Sequence, residues 1–191
     1  MTYRIDKCIL KSCLDFQPKI IESNFRKAAV MCLIVFEENQ YKVVLTKRSE
    51  NLSNHAGQIS FPGGKIEEFD KTPLQAALRE TYEEIGIKIH EIEIIGKLDE
   101  MITGTNFHIT PFVGLIINNY KFKLNFEEVA ELILLPTNIL LDKSNHSNID
   151  KKLNNIKYNF KKINYLNHYI WGATATILNG FANRVWSHHG L

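Results

Sequence analysis

The sequence has few cysteines, no long apolar run and almost no net charge, and each shortage removes a class of protein. Cys8, Cys13 and Cys32 are the only cysteines in 191 residues, too few and too irregular for a disulfide framework or a zinc site. The longest apolar stretch, Ala28–Phe36, reaches about half the length of a membrane-spanning helix. The opening segment breaks its apolar residues with Lys7, Lys11 and Asp15, so it lacks the continuous apolar core of a secretion signal and the cytoplasm is the expected location. Lys plus Arg number 23 against 21 Asp plus Glu, a formal charge of +2, which removes a long polyanion as the default partner. What is present is an ordinary globular balance, 45% apolar and 23% charged, which excludes wholesale disorder. A chain this long buries a core without a covalent staple. One α/β domain spanning residues 1–191 is expected, with its core over about 28–183.

The pattern along the chain supports that class. Ala28–Phe36 is continuous and β-branched, as suits a strand buried on both faces. Lys42–Lys47 reads as its hairpin partner. From Arg48 to Thr72 turn formers dominate around one short strand near Gln58–Phe61, a loop length usually reserved for function. Thr72 then offers a cap, Pro73 the first helical position and Gln75 a capping box, so a helix is expected to run to Ile85 and stop at Gly86. Further strands are expected at Ile92–Leu98, His108–Ile117, Lys121–Leu124 and Glu131–Leu135, with one helical turn at Thr137–Asp142. An Asn/Lys-rich insertion over about 143–168 reads as a solvated hairpin with strands near Ile156–Lys161 and Ile163–His168. Tyr169–Asn183 reads as helix. His108 falls at an exposed alternation position, and His188–His189 reads as a solvated tail.

The expected helix carries R-E-T-Y-E-E-I-G-I over Arg79–Ile87. At 100° per residue, Glu80, Glu83 and Glu84 fall on one edge while Leu74, Leu78, Thr81 and Ile85 share another. Three clustered acids raise one another's proton affinity, and a hard cation such as Mg²⁺ or Mn²⁺ relieves that cost. An isolated E-x-x-E-E is also an ordinary solvated helix face, so the neighbourhood has to decide.

It does so through resemblance. Gly64–Ile87 resembles the Nudix box, G-x5-E-x7-R-E-U-x-E-E-x-G-U with U apolar, at Arg79, Glu80, Glu83, Glu84, Gly86 and Ile87. Two features depart from the general form: Asp70 stands where Glu is usual, with one extra residue before Arg79, and Thr81 takes an apolar position. Upstream, Leu45, Thr46, Arg48, Ser49, Leu52, His55, Gly57, Gln58 and Phe61–Gly64 are similar to the added signature of the coenzyme A pyrophosphatase branch. That branch also carries the extra residue and the Asp. Glu128–Glu131 (E-V-A-E) and Ile170–Ala175 (I-W-G-A-T-A) look like the same family.

The resemblance implies a Nudix-type α/β/α sandwich with a mixed central sheet and hydrolysis of a nucleoside diphosphate derivative. For coenzyme A the implied products are 3′,5′-ADP and 4′-phosphopantetheine. It implies a Mg²⁺ or Mn²⁺ cluster on Glu80, Glu83, Glu84 and the Gly64 carbonyl, with Arg79 orienting a carboxylate. Lys47 and Arg48 are candidates to neutralise phosphate, while His55 and Gln58 either shape the loop or touch substrate. The general base is open between a helix Glu and a remote loop acid, with Glu128 and Glu131 as candidates. The expected partner is a small CoA-like nucleotide, with no nucleic acid, no membrane and the option of a homodimer. Other Nudix substrates, such as ADP-ribose or a dinucleoside polyphosphate, and a non-cutting nucleotide sensor are the competing readings.

Overall fold

The apolar run forms the middle of the central strand, β1 (Arg26–Glu37), which turns back into β2 (Gln40–Arg48). Glu38 and Asn39 make that turn with φ of 50° and 62°, the left-handed pair that suits a tight hairpin. The computed structural model describes residues 6–14, 17–52, 55–117, 119–153 and 156–188, with the side chains of 151–158 outside that description. The other elements are α1 (Lys7–Ser12), β3 (Ile59–Ser60), β4 (Gly63–Lys65), α2 (Pro73–Ile85), β5 (Ile92–Lys97), β6 (Met101–Ile102), β7 (Phe107–Ile116), β8 (Val129–Pro136), α3 (Thr137–Leu141), β9 (His146–Leu153), β10 (Ile156–Tyr165), β11 (His168–Trp171) and α4 (Gly172–His188).

One sheet holds β1–β8 in the path β3-β2-β1-β7-β5, with β4 beside β1, β6 beside β7 and β8 beside β2. The β1–β7 pair is parallel and the other pairs are antiparallel, so the sheet is mixed. Past their hairpin β1 and β2 diverge. β2 takes β3 at Thr46 and Lys47, and β1 takes β4 at Ala28–Val30. The segment Gln58–Lys65 therefore fills a fork at one end of the sheet, held by Met31 N–H to the Pro62 carbonyl (2.8 Å) and Arg48 N–H to the Gln58 carbonyl (2.9 Å).

Helices cover both faces. Ala76, Ala77, Leu78 and Ile85 of α2 pack on Ala29, Met31, Leu33 and Val35 of β1. The opposite face meets Ile177, Leu178 and Phe181 of α4, Leu140 of α3 and Leu10 of α1. Each aliphatic side chain so buried contributes about 1.5–3 kcal/mol. This is the expected α/β/α architecture. Among the described residues no helix is long and apolar enough to cross a membrane.

Several expectations are corrected. Lys121–Leu124 is not a strand. Phe122 and Leu124 pack against the α2 core while Lys123 N–H and Asn125 N–H cap the Ile85 and Glu84 carbonyls (2.9 and 3.0 Å). The insertion is not a hairpin of two short strands but a three-stranded sheet, β9-β10-β11, with β10 unbroken from Ile156 to Tyr165. Tyr169–Trp171 belongs to that sheet, so the last helix begins at Gly172 and continues to His188. His188 is exposed at the end of that helix, as expected, with its Nε2 3.0 Å from the Ser12 Oγ; His189 lies outside the described residues. His108 is buried rather than exposed. Its ring bridges Ser23 Oγ (3.1 Å) and Glu100 Oε2 (2.9 Å), a pairing that local alternation does not encode.

Candidate active site

Helix α2 starts and stops where its chemistry dictates. Gln75 N–H donates to Thr72 Oγ1 (3.2 Å), and the Gln75 side chain accepts from Lys71 N–H (2.8 Å) instead of closing back on Thr72. Gly86 ends the helix at φ 74°, a left-handed conformation that costs glycine little. Between these ends Thr81 is buried as the apolar position requires, its hydroxyl satisfied by the Ala77 carbonyl at 2.7 Å.

The three glutamates share the predicted edge but not one environment. Glu84 is 2% exposed, the Glu80 side chain 16% and the Glu83 side chain 48%. Burial, reinforced by the charges of Glu80 and Glu128, pushes the Glu84 carboxyl up to about 8, against the pull of Arg48 and the Gly63 N–H. Burial also raises Glu80, with Glu83 and Glu128 adding to it and Arg79 opposing. Glu84 Oε2 and Arg48 Nε are both buried without a hydrogen-bond partner among the described residues. An unpaired acceptor and an unpaired donor on two groups that feel each other's charge are the inventory a cation and a phosphate would complete.

Arg79 is the clamp of this edge. Its guanidinium meets Asp70 through two hydrogen bonds, Nε to Oδ1 at 3.2 Å and NH2 to Oδ2 at 2.9 Å, the fork geometry that suits a carboxylate. NH1 reaches Glu80 Oε1 (2.8 Å) and Glu83 Oε2 (2.9 Å), and NH2 also bonds the Lys65 carbonyl (3.2 Å). Asp70 is itself seated by the Glu67 N–H at 2.9 Å, and the guanidinium holds its carboxyl below the usual range. The shorter acid and the extra residue before Arg79 thus keep a bidentate grip.

Gly64 makes the approach possible. A Cβ there would stand 2.5 Å from the Glu80 carboxylate carbon, so only glycine lets this backbone touch that acid. Among the described residues no three His, Cys, Asp or Glu side chains form a ready-made metal cage; Arg79 holds one oxygen of Glu80 and one of Glu83. The donors nevertheless fit a hard divalent cation: carboxylate oxygens, a carbonyl on the Cβ-free cradle, and the orphaned Glu84 oxygen.

The fork brings other candidates to the same end. His55 Nδ1 lies 3.0 Å from Gln58 Oε1, and His55 adopts φ 58°, so the two shape one loop. Glu128 reaches the cluster: its charge acts on Glu80 and Glu84. Asn125 Nδ2 donates to its side chain (3.2 Å), and its carbonyl accepts Ser49 N–H (2.8 Å). Glu131 pairs with His168 (3.4 Å), and Lys47 pairs with Glu50 (3.7 Å). Asp70, which the sequence reading gives no site role, joins the edge as the anchor of Arg79; its place in the box is the sequence signal that marks it.

Comparison with known proteins agrees with this geometry. Residues 25–149 match the NUDIX domain family model. An uncharacterized Nudix hydrolase NudL of Yersinia pestis (strain Pestoides F) is 37% identical over 160 residues, covering 84% of this chain and 80% of the relative. The NudL of Yersinia pseudotuberculosis serotype O:1b matches to the same extent. The fold is shared with a C. elegans Ap4A hydrolase at 14% identity and TM-score 0.50, over 87% of this chain and 99% of that one. It is also shared with a MutT/nudix family protein from Enterococcus faecalis at 15% identity and TM-score 0.51, over 81% and 54%. The helix edge, its arginine clamp and the matched span lead to one assignment: the chain belongs to the Nudix hydrolase superfamily.

Proposed function

We propose that this Nudix pyrophosphohydrolase cleaves the pyrophosphate bond of coenzyme A or a derivative, releasing 3′,5′-ADP and 4′-phosphopantetheine. The observation that carries the reading is that Arg48 Nε and Glu84 Oε2 are both buried without a partner among the described residues, on groups coupled through charge, at a fork built from the L-T-x-R-S and F-P-G-G segments. Glu80, Glu84, Glu83 and the Gly64 carbonyl would hold Mg²⁺ or Mn²⁺. Such a cation supplies charge neutralisation on the pyrophosphate oxygens and a lowered pKa for an attacking water.

The chain's own residues do the remaining work. Arg48 would neutralise a phosphate of the substrate, its guanidinium suiting two phosphate oxygens at once. Arg79, fixed by Asp70, holds Glu80 and Glu83 in place so that little reorganisation accompanies ligand binding. Glu128, carried on a loop bonded to the end of α2, accepts the proton of the attacking water. His55 and Gln58 brace the loop that borders Arg48.

The test is turnover of CoA, acyl-CoA, ADP-ribose and a dinucleoside polyphosphate by the purified protein with Mg²⁺ or Mn²⁺. The expected result is preferential release of 3′,5′-ADP from a CoA substrate, lost in Glu83→Gln and in Glu128→Gln. Faster cleavage of ADP-ribose or of the dinucleoside polyphosphate would replace the CoA reading with that substrate. Binding without turnover of any of them would make the chain a sensor.

A further inference from the structure

The inserted sheet has two unlike faces. Ile163 and Ile170 point into the core shared with α4, and Tyr165 packs against it. Directly paired residues share a face and neighbours along a strand alternate. Because Lys162 pairs with Trp171 and Asn164 with Tyr169, the other face carries Phe160, Lys162, Trp171 and Tyr169. The rings are already organised. Phe160 and Trp171 meet edge to face at 5.7 Å, and the Lys162 ammonium lies 4.7 Å from the Tyr169 ring centre. Tyr169 is 38% exposed.

This face stands at the fork end of the main sheet. β11 runs beside β3, and Thr174 at the start of α4 donates to the Ile59 carbonyl (3.0 Å); on the core-facing side of the same strand, His168 reaches Glu131 of β8. The same short segment of β3 is bonded to Thr46 and leads from Gln58 to Gly63. An aromatic and cationic surface beside a pyrophosphate site matches the far end of a phosphorylated nucleotide: rings for the base, an ammonium for a further phosphate.

We propose that the outer face of the inserted sheet is a binding subsite for a phosphorylated adenosine, with Tyr169 taking the base and Lys162 the 3′-phosphate. This rests on the CoA reading and supplies what that reading lacks, the residues that distinguish a 3′-phosphorylated nucleotide from a plain one. A single-stranded RNA would use the same chemistry, but the overall charge of +2 and the adjoining fork favour a small ligand.

The experiment compares CoA with dephospho-CoA, which lacks the 3′-phosphate, on wild type, Lys162→Ala, Tyr169→Ala and Tyr169→Phe. Lys162→Ala is expected to raise KM for CoA by roughly tenfold or more, keep kcat, and leave dephospho-CoA unchanged. Tyr169→Ala is expected to raise KM for both by roughly 5- to 100-fold, with recovery in Tyr169→Phe. Equal effects of Lys162→Ala on both substrates, or none, would overturn the subsite. Calorimetry with 3′,5′-ADP and 5′-AMP runs independently of turnover and separates this proposal from the catalytic one. If CoA is not a substrate, 3′,5′-ADP must still bind more tightly than 5′-AMP and lose that advantage in Lys162→Ala. Equal binding of the two nucleotides, or tighter salt-sensitive binding of a short RNA through the same residues, refutes it.

Discussion

Glu84→Gln should stabilise the metal-free protein at high pH while abolishing its hydrolytic activity. Burial lifts the Glu84 carboxyl from the ordinary 4.5 to about 8, so the folded state holds its proton longer than the unfolded chain does. The sign follows: stability is full below the ordinary carboxylate range, falls as pH climbs from about 4.5 to about 8, and is level above that. A displacement of that size corresponds to about 5 kcal/mol once the group ionises. Local relaxation and water reduce it, leaving an expected gain of about 2–4 kcal/mol for the glutamine variant at pH 9. Glutamine keeps the shape and an oxygen for the Gly63 N–H, so the difference isolates charge. The assay is urea unfolding with a chelator present at pH 5 and pH 9, supported by thermal melts in which the gap at pH 9 is roughly 4–16 °C. Adding Mn²⁺ should then raise the melting temperature of the wild type and leave the variant nearly unmoved. A variant less stable than wild type at pH 9, or a stability gap that does not change between the two pH values, would refute the reasoning.

Two further substitutions probe the scaffold around that acid. Gly64→Ala, whose Cβ would fall 2.5 Å from the Glu80 carboxylate, should cost about 1–3 kcal/mol in urea unfolding and reduce turnover; Gly104→Ala, with open space around it, is the control expected to stay within about 0.5 kcal/mol. Asp70→Asn weakens the bidentate hold on Arg79 and should lower kcat or apparent Mn²⁺ affinity about 10- to 100-fold, read by metal titration of activity, with an unchanged titration counting against the clamp.

Much of helix α2 is legible in the sequence because its signals are local. Thr72, Pro73 and Gly86 mark its ends within their own few residues, and the spacing of Glu80, Glu83 and Glu84 follows from helical period alone. What the period does not contain is depth: the fold buries Glu84, near the charges of Arg48, Glu80 and Glu128, and leaves Glu83 half in solvent. Lys121–Leu124 misled because apolar alternation also suits an extended segment lying across a helix, and Phe122 and Leu124 use it that way. The insertion was found, but its pairing was not, since Lys161 and Lys162 look like a break and instead continue β10. His108 is buried where alternation suggests exposure because Ser23 and Glu100, the groups that hold its ring, are chosen by the fold and not by the alternation.

The segment ahead of β1 has a consequence for where this protein begins as a physical object. The family match starts at residue 25, yet Leu10, Cys13 and Leu14 lie in the core beside α4. Lys7 and Lys11 grip Glu93, Asp99 and Glu100 take the Lys19 and Ile21 N–H groups, and Ser12 meets His188. Leu14 rests where a side chain at Gly96 would otherwise stand. The inherited module and the cooperative folding unit therefore have different edges. A chain trimmed to begin at residue 25 would keep the carboxylates of α2 and lose the wedge that packs beside α4 on the opposite side of the sheet.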